Sequence, residues 1–171
     1  MLEIIEAPNK PQEENELKLF LAGGITNCPD WQAELIEKMK AEKKEYDKYL
    51  LDQVTVLNPR RKNFPIDDPN ASVEQITWEY KGLRESDIIV FWFSKGSLNP
   101  IVLYELGKHG TSQPTKIVIG CDEEYERISD VEIQTKLARP EQEIVYNLDK
   151  FYAKIIKAIH DLITAKNKKS K

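Results

Sequence analysis

The run 87–93, Asp-Ile-Ile-Val-Phe-Trp-Phe, constrains the fold more than any other stretch of this chain. After one acid it is apolar throughout, with no polar residue at every second place. A strand with one wet face alternates; a strand without alternation is covered on both faces, as inner strands of parallel sheets are. The run is therefore expected at the centre of a sheet with helices on either side. Apolar runs at 17–22, 54–57 and 116–120, and a short one at 143–146, supply four more strands. Helical spacing fills the intervals between them. A helix over 31–51, capped by Asp30, carries Trp31, Leu35, Met39, Tyr46 and Leu50 on one face. Further helices are expected over 73–86 and over 99–110, the latter opened by Pro100. The segment 122–137 reads as a helix or a loop. A last helix, capped by Asp149, carries Phe151, Ile155, Ile159, Leu162 and Ile163. Strand and helix alternate along the whole chain, which requires βαβ crossovers and predicts a five-stranded parallel sheet of the α/β class.

The chain's 171 residues suit one domain, expected over 17–165. Residues 1–16 are polar, with Pro8, Pro11, Glu13, Glu14 and Glu16, and read as a leader or as an added edge strand through Leu2, Ile4 and Ile5. Residues 166–171 form a basic tail containing Lys166, Lys168, Lys169 and Lys171, read as a frayed helix end. A net charge of −4 argues against a duplex-binding protein, which normally presents a basic face. Cys28 and Cys121 have neither CxxC spacing nor a histidine cluster beside them, so no zinc site is expected. No apolar run reaches the roughly 18 residues that a membrane span needs. No basic region followed by an apolar stretch opens the sequence, and a reducing cytoplasm is the expected location.

In doubly covered sheets, ligands bind beyond the carboxyl ends of the strands. The residues that follow each strand are Gly23, Gly24 and Ile25; Asn58, Pro59 and Arg60; 94–99, which includes Ser97; and Cys121 with Asp122. Glu105 is the strongest candidate for chemistry. It sits on the helix after the central run among Ile101, Val102, Leu103, Tyr104 and Leu106, so it is either a surface glutamate or a carboxylate held in a pocket. Asp87 either caps the preceding turn or faces the site, and Asn99 either caps the helix or faces the site. Gly23-Gly24 is not a dinucleotide fingerprint; it marks a close backbone approach. Trp31 and Trp78 are open between stacking on a base and ordinary packing. Arg60 and Arg61 suit a phosphate or carboxylate, or an ion pair with an acid. His109 and His160 have no serine or cysteine partner in a triad arrangement.

Four blocks, LKLFLAGGIT, VTVLNPRR, ITWEYKGLRESDIIVFWFS and SLNPIVLYELGKHG, resemble the nucleoside 2-deoxyribosyltransferase-like family, in the family's order and over about 17–120. The resemblance implies a doubly wound, flavodoxin-like sheet. It also implies cleavage of a nucleoside or nucleotide N-glycosidic bond, by transfer of the sugar or by hydrolysis. Glu105 would be the nucleophile. Asp87 would help to bind the sugar or the glutamate. Asn99 stands where many transferases carry an aspartate that handles the base's proton, and an amide cannot act as that acid. Gly23, Gly24 and Ile25 would line the sugar side, with Asn58 and Ser97 nearby. Trp31 or Trp78 would stack on the base, and Arg60 would meet a phosphate. No metal or organic cofactor is implied; a homo-oligomer is. The competing expectations are a nucleotide-binding module of the same fold with weak turnover, and a nicotinamide-dinucleotide-cleaving domain.

Overall fold

The structure, a computed structural model, describes residues 1–11, 15–110 and 115–169. Glu13 and Glu14 of the expected leader, and Lys171 and the Lys169 side chain of the expected tail, lie outside what it describes.

In chain order the elements are β1 (Glu3–Glu6), β2 (Leu17–Gly23), α1 (Trp31–Lys40), α2 (Glu45–Leu51), β3 (Val54–Asn58), α3 (Ala71–Glu85), β4 (Ile88–Phe93), α4 (Pro100–Gly110), β5 (Lys116–Cys121), α5 (Ile128–Ala138), β6 (Ile144–Val145) and α6 (Leu148–Lys169). The strands form one parallel sheet in the order β1-β3-β2-β4-β5-β6. It has six strands rather than the expected five. The extra strand is β1, where the leader pairs Ile4 with Val56 and Ile5 with Leu57. Those two strands meet because Ile5 is buried and Leu2 and Ile4 pack on the core below, an apolar reward for pairing. Without β1 the order is that of flavodoxin-like sheets, in which successive crossovers leave the first strand's two sides in opposite directions.

β4 lies between β2 and β5, as its unbroken apolar run requires, and all six of its residues are buried. Its side chains alternate between two cores. Ile88, Val90 and Trp92 join α1, α2 and α6 on one face; Ile89, Phe91 and Phe93 join α3, α4 and α5 on the other. Trp31, Trp92 and Phe151 pack as an aromatic group in the first core, with ring centres 5.1–6.5 Å apart.

Two helices depart from expectation. The helix expected over 31–51 is broken: the Glu42 carboxylate accepts the backbone N–H groups of Lys43 and Lys44 at 2.9 Å each, so it starts a new helix instead of continuing the old one. Tyr46 is exposed in consequence. The last helix is capped by Asn147, whose Oδ1 accepts the Lys150 N–H at 2.9 Å, and not by Asp149, which pairs with Lys38 at 2.6 Å. α6 also runs past 165, and Lys166 reaches Asp87 at 3.3 Å. Among the described residues no helix is long and apolar enough to cross a membrane.

Phe151 is wholly buried between Trp31 and Trp92. Phe151→Ala is expected to cost about 3–5 kcal/mol of stability, read as a lower urea midpoint with an unchanged slope.

Candidate active site

The chain leaves β2 toward one edge of the sheet and β4 toward the other, so their carboxyl ends diverge into a crevice. A cavity of about 360 Å³ opens there, lined by Gly23, Gly24, Ile25, Ser97, Asn99 and Glu105, and also by Glu79 of α3. β2 delivers the glycines, α4 delivers Glu105, and α3 crosses the mouth with Glu79.

The glycines are needed for contact. A Cβ on Gly23 would stand 2.3 Å from the Trp31 ring, and one on Gly24 would stand 2.1 Å from Asn99 Oδ1 and 2.4 Å from Cys28 Sγ. The close approach read from the sequence is thus between the β2–α1 and β4–α4 loops themselves. Asn99 is the link between them. It is 4% exposed and sits in the left-handed region at φ 46°. Its Nδ2 donates to the Ser94 and Ser97 carbonyls at 3.1 and 3.2 Å, while its Oδ1 accepts the Cys28 thiol at 3.4 Å. Its own carbonyl accepts the Leu103 N–H at 3.1 Å, so it also opens α4. An asparagine tolerates that backbone angle and supplies both a donor and an acceptor, which an aspartate could not.

Glu105 is held where water is scarce. Burial first, and the charge of Glu79 second, push its carboxyl up to about 8, against a smaller opposing pull from Lys108. Burial likewise raises Glu79, which keeps one hydrogen bond, from Gln75 Nε2 at 2.8 Å; the same amide group donates to the Pro59 carbonyl at 2.7 Å. Two carboxyl groups therefore face one cavity, both biased toward the protonated form. Such an arrangement can hold a proton on one acid while the other is ionised.

Glu79 was not among the residues singled out from the sequence. Its signal was there: Ala71, Gln75, Glu79 and Leu83 recur at four-residue steps, which places an acid on the inward stripe of α3.

Several expected site residues stand elsewhere. Asp87 precedes β4, at the end of the strand remote from the cavity, where its carboxylate accepts the Lys18 N–H at 2.9 Å and meets Lys166. It joins strand starts and has no path to a substrate at the carboxyl ends. Trp31 is 1% exposed; its Nε1 donates to the Gly24 carbonyl at 3.2 Å beneath the cavity floor, which leaves no face for a base. Trp78 packs on Phe20 and donates to the Asn9 carbonyl at 2.7 Å. Asn58 turns back to accept the Arg60 N–H at 3.0 Å. Arg60 itself binds the Cys28 and Pro29 carbonyls and Gln32 Oε1 at 3.0–3.2 Å, with Asp30 at 3.5 Å. Its guanidinium braces the β2–α1 loop and is already engaged.

Folded Glu105 gives up its proton near pH 8, whereas the unfolded chain does so near 4.5. The folded state therefore binds the extra proton between those values, and stability falls as pH rises through that window. Glu105→Gln removes this dependence. Its melting temperature relative to the unsubstituted protein is expected to be higher at pH 8 than at pH 5, in thermal scans at both.

The family model described as nucleoside 2-deoxyribosyltransferase like matches residues 16–125, which takes in the whole cavity lining. No curated protein matches the sequence. Among solved structures, a conserved protein from Enterococcus faecalis V583 aligns over 85% of this chain and 98% of its own, with a TM-score of 0.56 and 15% identity, a likeness of fold.

Proposed function

The chain belongs to the nucleoside 2-deoxyribosyltransferase-like family, and from that premise we propose that it cleaves the N-glycosidic bond of a nucleoside or nucleotide through a covalent sugar–Glu105 intermediate. The observation that carries this reading is the cavity-facing pair Glu105 and Glu79, each raised above the usual carboxylate range by burial. Ionised Glu105 attacks C1′ as the bond from C1′ to the base nitrogen breaks, with both electrons leaving on the base. The departing base takes up its proton from solvent, because the charge on Glu79 that helps to raise Glu105 means that Glu79 ionises first, and the amide of Asn99 is closed to the task. A second base, or water, then attacks C1′ and frees Glu105. Two inversions give overall retention. Gly23, Gly24 and Ile25 line the sugar side, and Ser97 lies at the foot of α4.

A homo-oligomer is part of the proposal. Val73, Ile76 and Tyr80 of α3, and Ile101 and Tyr104 of α4, stand exposed on the two helices that carry Glu79 and Glu105, apolar side chains that a partner copy would cover. Light scattering that gives one chain's mass at assay concentration would remove this element.

Incubation with a panel of nucleosides and monophosphates, followed by chromatography for free or exchanged base, tests the whole reading. Glu105→Ala and Glu105→Gln are each expected to lower turnover by at least about 10³-fold while circular dichroism stays native. The rate should climb from pH 6 toward pH 8 as Glu105 ionises. Binding without any base release would favour the weak-turnover module, to which the engaged amide of Asn99 already points.

A further inference from the structure

The segment 94–99, between β4 and α4, carries the origin of the helix on which Glu105 sits. It contains two left-handed residues, Gly96 at φ 82° and Asn99 at φ 46°. Pro100 then opens α4 without an N–H of its own. Asn99 and Cys28 restrain this segment from the β2 side. On the opposite side it meets the loop after β5. There Tyr125, 2% exposed, packs tilted against Phe93 with ring centres 5.3 Å apart and extends its hydroxyl to the Leu98 carbonyl at 2.7 Å. The neighbouring Lys95–Glu124 pair joins the same two loops at 3.0 Å, but both partners are exposed, and water screens such a pair. The hydroxyl contact is part-buried, on a ring packed into the core, and is less screened than that exposed pair.

We propose that Tyr125 is a positioning residue for Glu105: its hydroxyl, through the Leu98 carbonyl, sets where α4 begins and hence where the carboxyl stands in the cavity. Glu105 lies five residues into a rigid helix, about 8 Å of rise from Pro100. A tilt at the helix start therefore moves the carboxyl by a comparable fraction of an ångström or more, and misplacement by about 1 Å at a reacting centre costs up to 10²-fold in rate. Burial pushes the Tyr125 phenol up to about 12, so it remains a donor across the range in which the carboxyls titrate. Tyr125 is not among the residues that line the cavity, so it serves Glu105 without meeting substrate. The inference rests on the reading of Glu105 as nucleophile only for its effect on rate.

Tyr125→Phe keeps the ring on Phe93 and removes only the hydroxyl. Two measurements separate the proposal from the function. In protein carrying ¹³C at the glutamate side-chain carboxyls, with Glu105 assigned by loss of its signal in Glu105→Gln, the Glu105 titration midpoint should fall by one pH unit or more toward 4.5 in Tyr125→Phe, as the carboxyl swings toward water. In the base-release assay, kcat should fall about 10-fold or more while KM changes less than 3-fold. An unmoved Glu105 midpoint overturns the positioning role, and so does a lowered melting temperature with kcat intact, because a merely structural hydroxyl would give that pattern. If the unsubstituted protein releases no base, the proposed function fails, and the titration still decides the role of Tyr125. Should Tyr125→Phe not fold, Tyr125→Met, whose flexible side chain still packs on Phe93 without a donor, carries the same two readouts.

Discussion

The pairing of β2 with β4 governs everything downstream. Five residue pairs, from Leu19 with Ile88 to Gly23 with Trp92, place these strands side by side at the sheet's centre. Because both run the same way and each must be followed by a crossover, the chain leaves them on opposite sides: toward α1 and β3 from one, toward α4 and β5 from the other. Two loops that diverge over one edge cannot fill the space between them. The cavity is that space, and Gly23 and Gly24 line it because any side chain there would collide with Trp31, Asn99 or Cys28.

Within that crevice the chemistry follows from desolvation. A fully exposed carboxylate is cheap to ionise; Glu105 and Glu79 are half-buried, and each resists losing its proton. Other polar groups around them are already engaged in holding the walls. Asn99 joins two loops, Arg60 braces one of them, and Gln75 steadies Glu79. The division of labour is plain: groups with several donors or acceptors tie the backbone together, and the two acids are left facing the open volume. That is how a site without a histidine in its lining keeps two carboxyl groups side by side, one ionising well before the other.

Much of the architecture could be read from residue order. The unbroken apolar run of β4 announced a strand covered on both faces, and it lies between β2 and β5. Pro100 marked the start of α4, and Glu105 was legible as an acid set in an apolar helix next to the switch in strand order. What was missed has local causes. β1 was ambiguous because a four-residue strand is defined by its partner, β3, far along the chain. The break between α1 and α2 depends on one carboxylate, Glu42, turning back onto two backbone amides. Glu79 lay on the inward stripe of α3, but helical spacing alone does not say what that stripe faces.

The sequence by itself determined the α/β class, the alternation of its inner strands with helices and the helix that carries the leading acid, because these follow from hydrophobic period and from residues such as proline and glycine that act on their own backbone. Only the tertiary structure decided which polar side chains remain available. Trp31, Trp78, Arg60 and Asp87 all had the right chemistry for a ligand, and each was taken by a partner distant in the chain or by a backbone group of a neighbouring loop. A hydrogen-bonding group can be engaged from any direction in space. Its availability is therefore a property of the packed molecule and not of its neighbours in the chain.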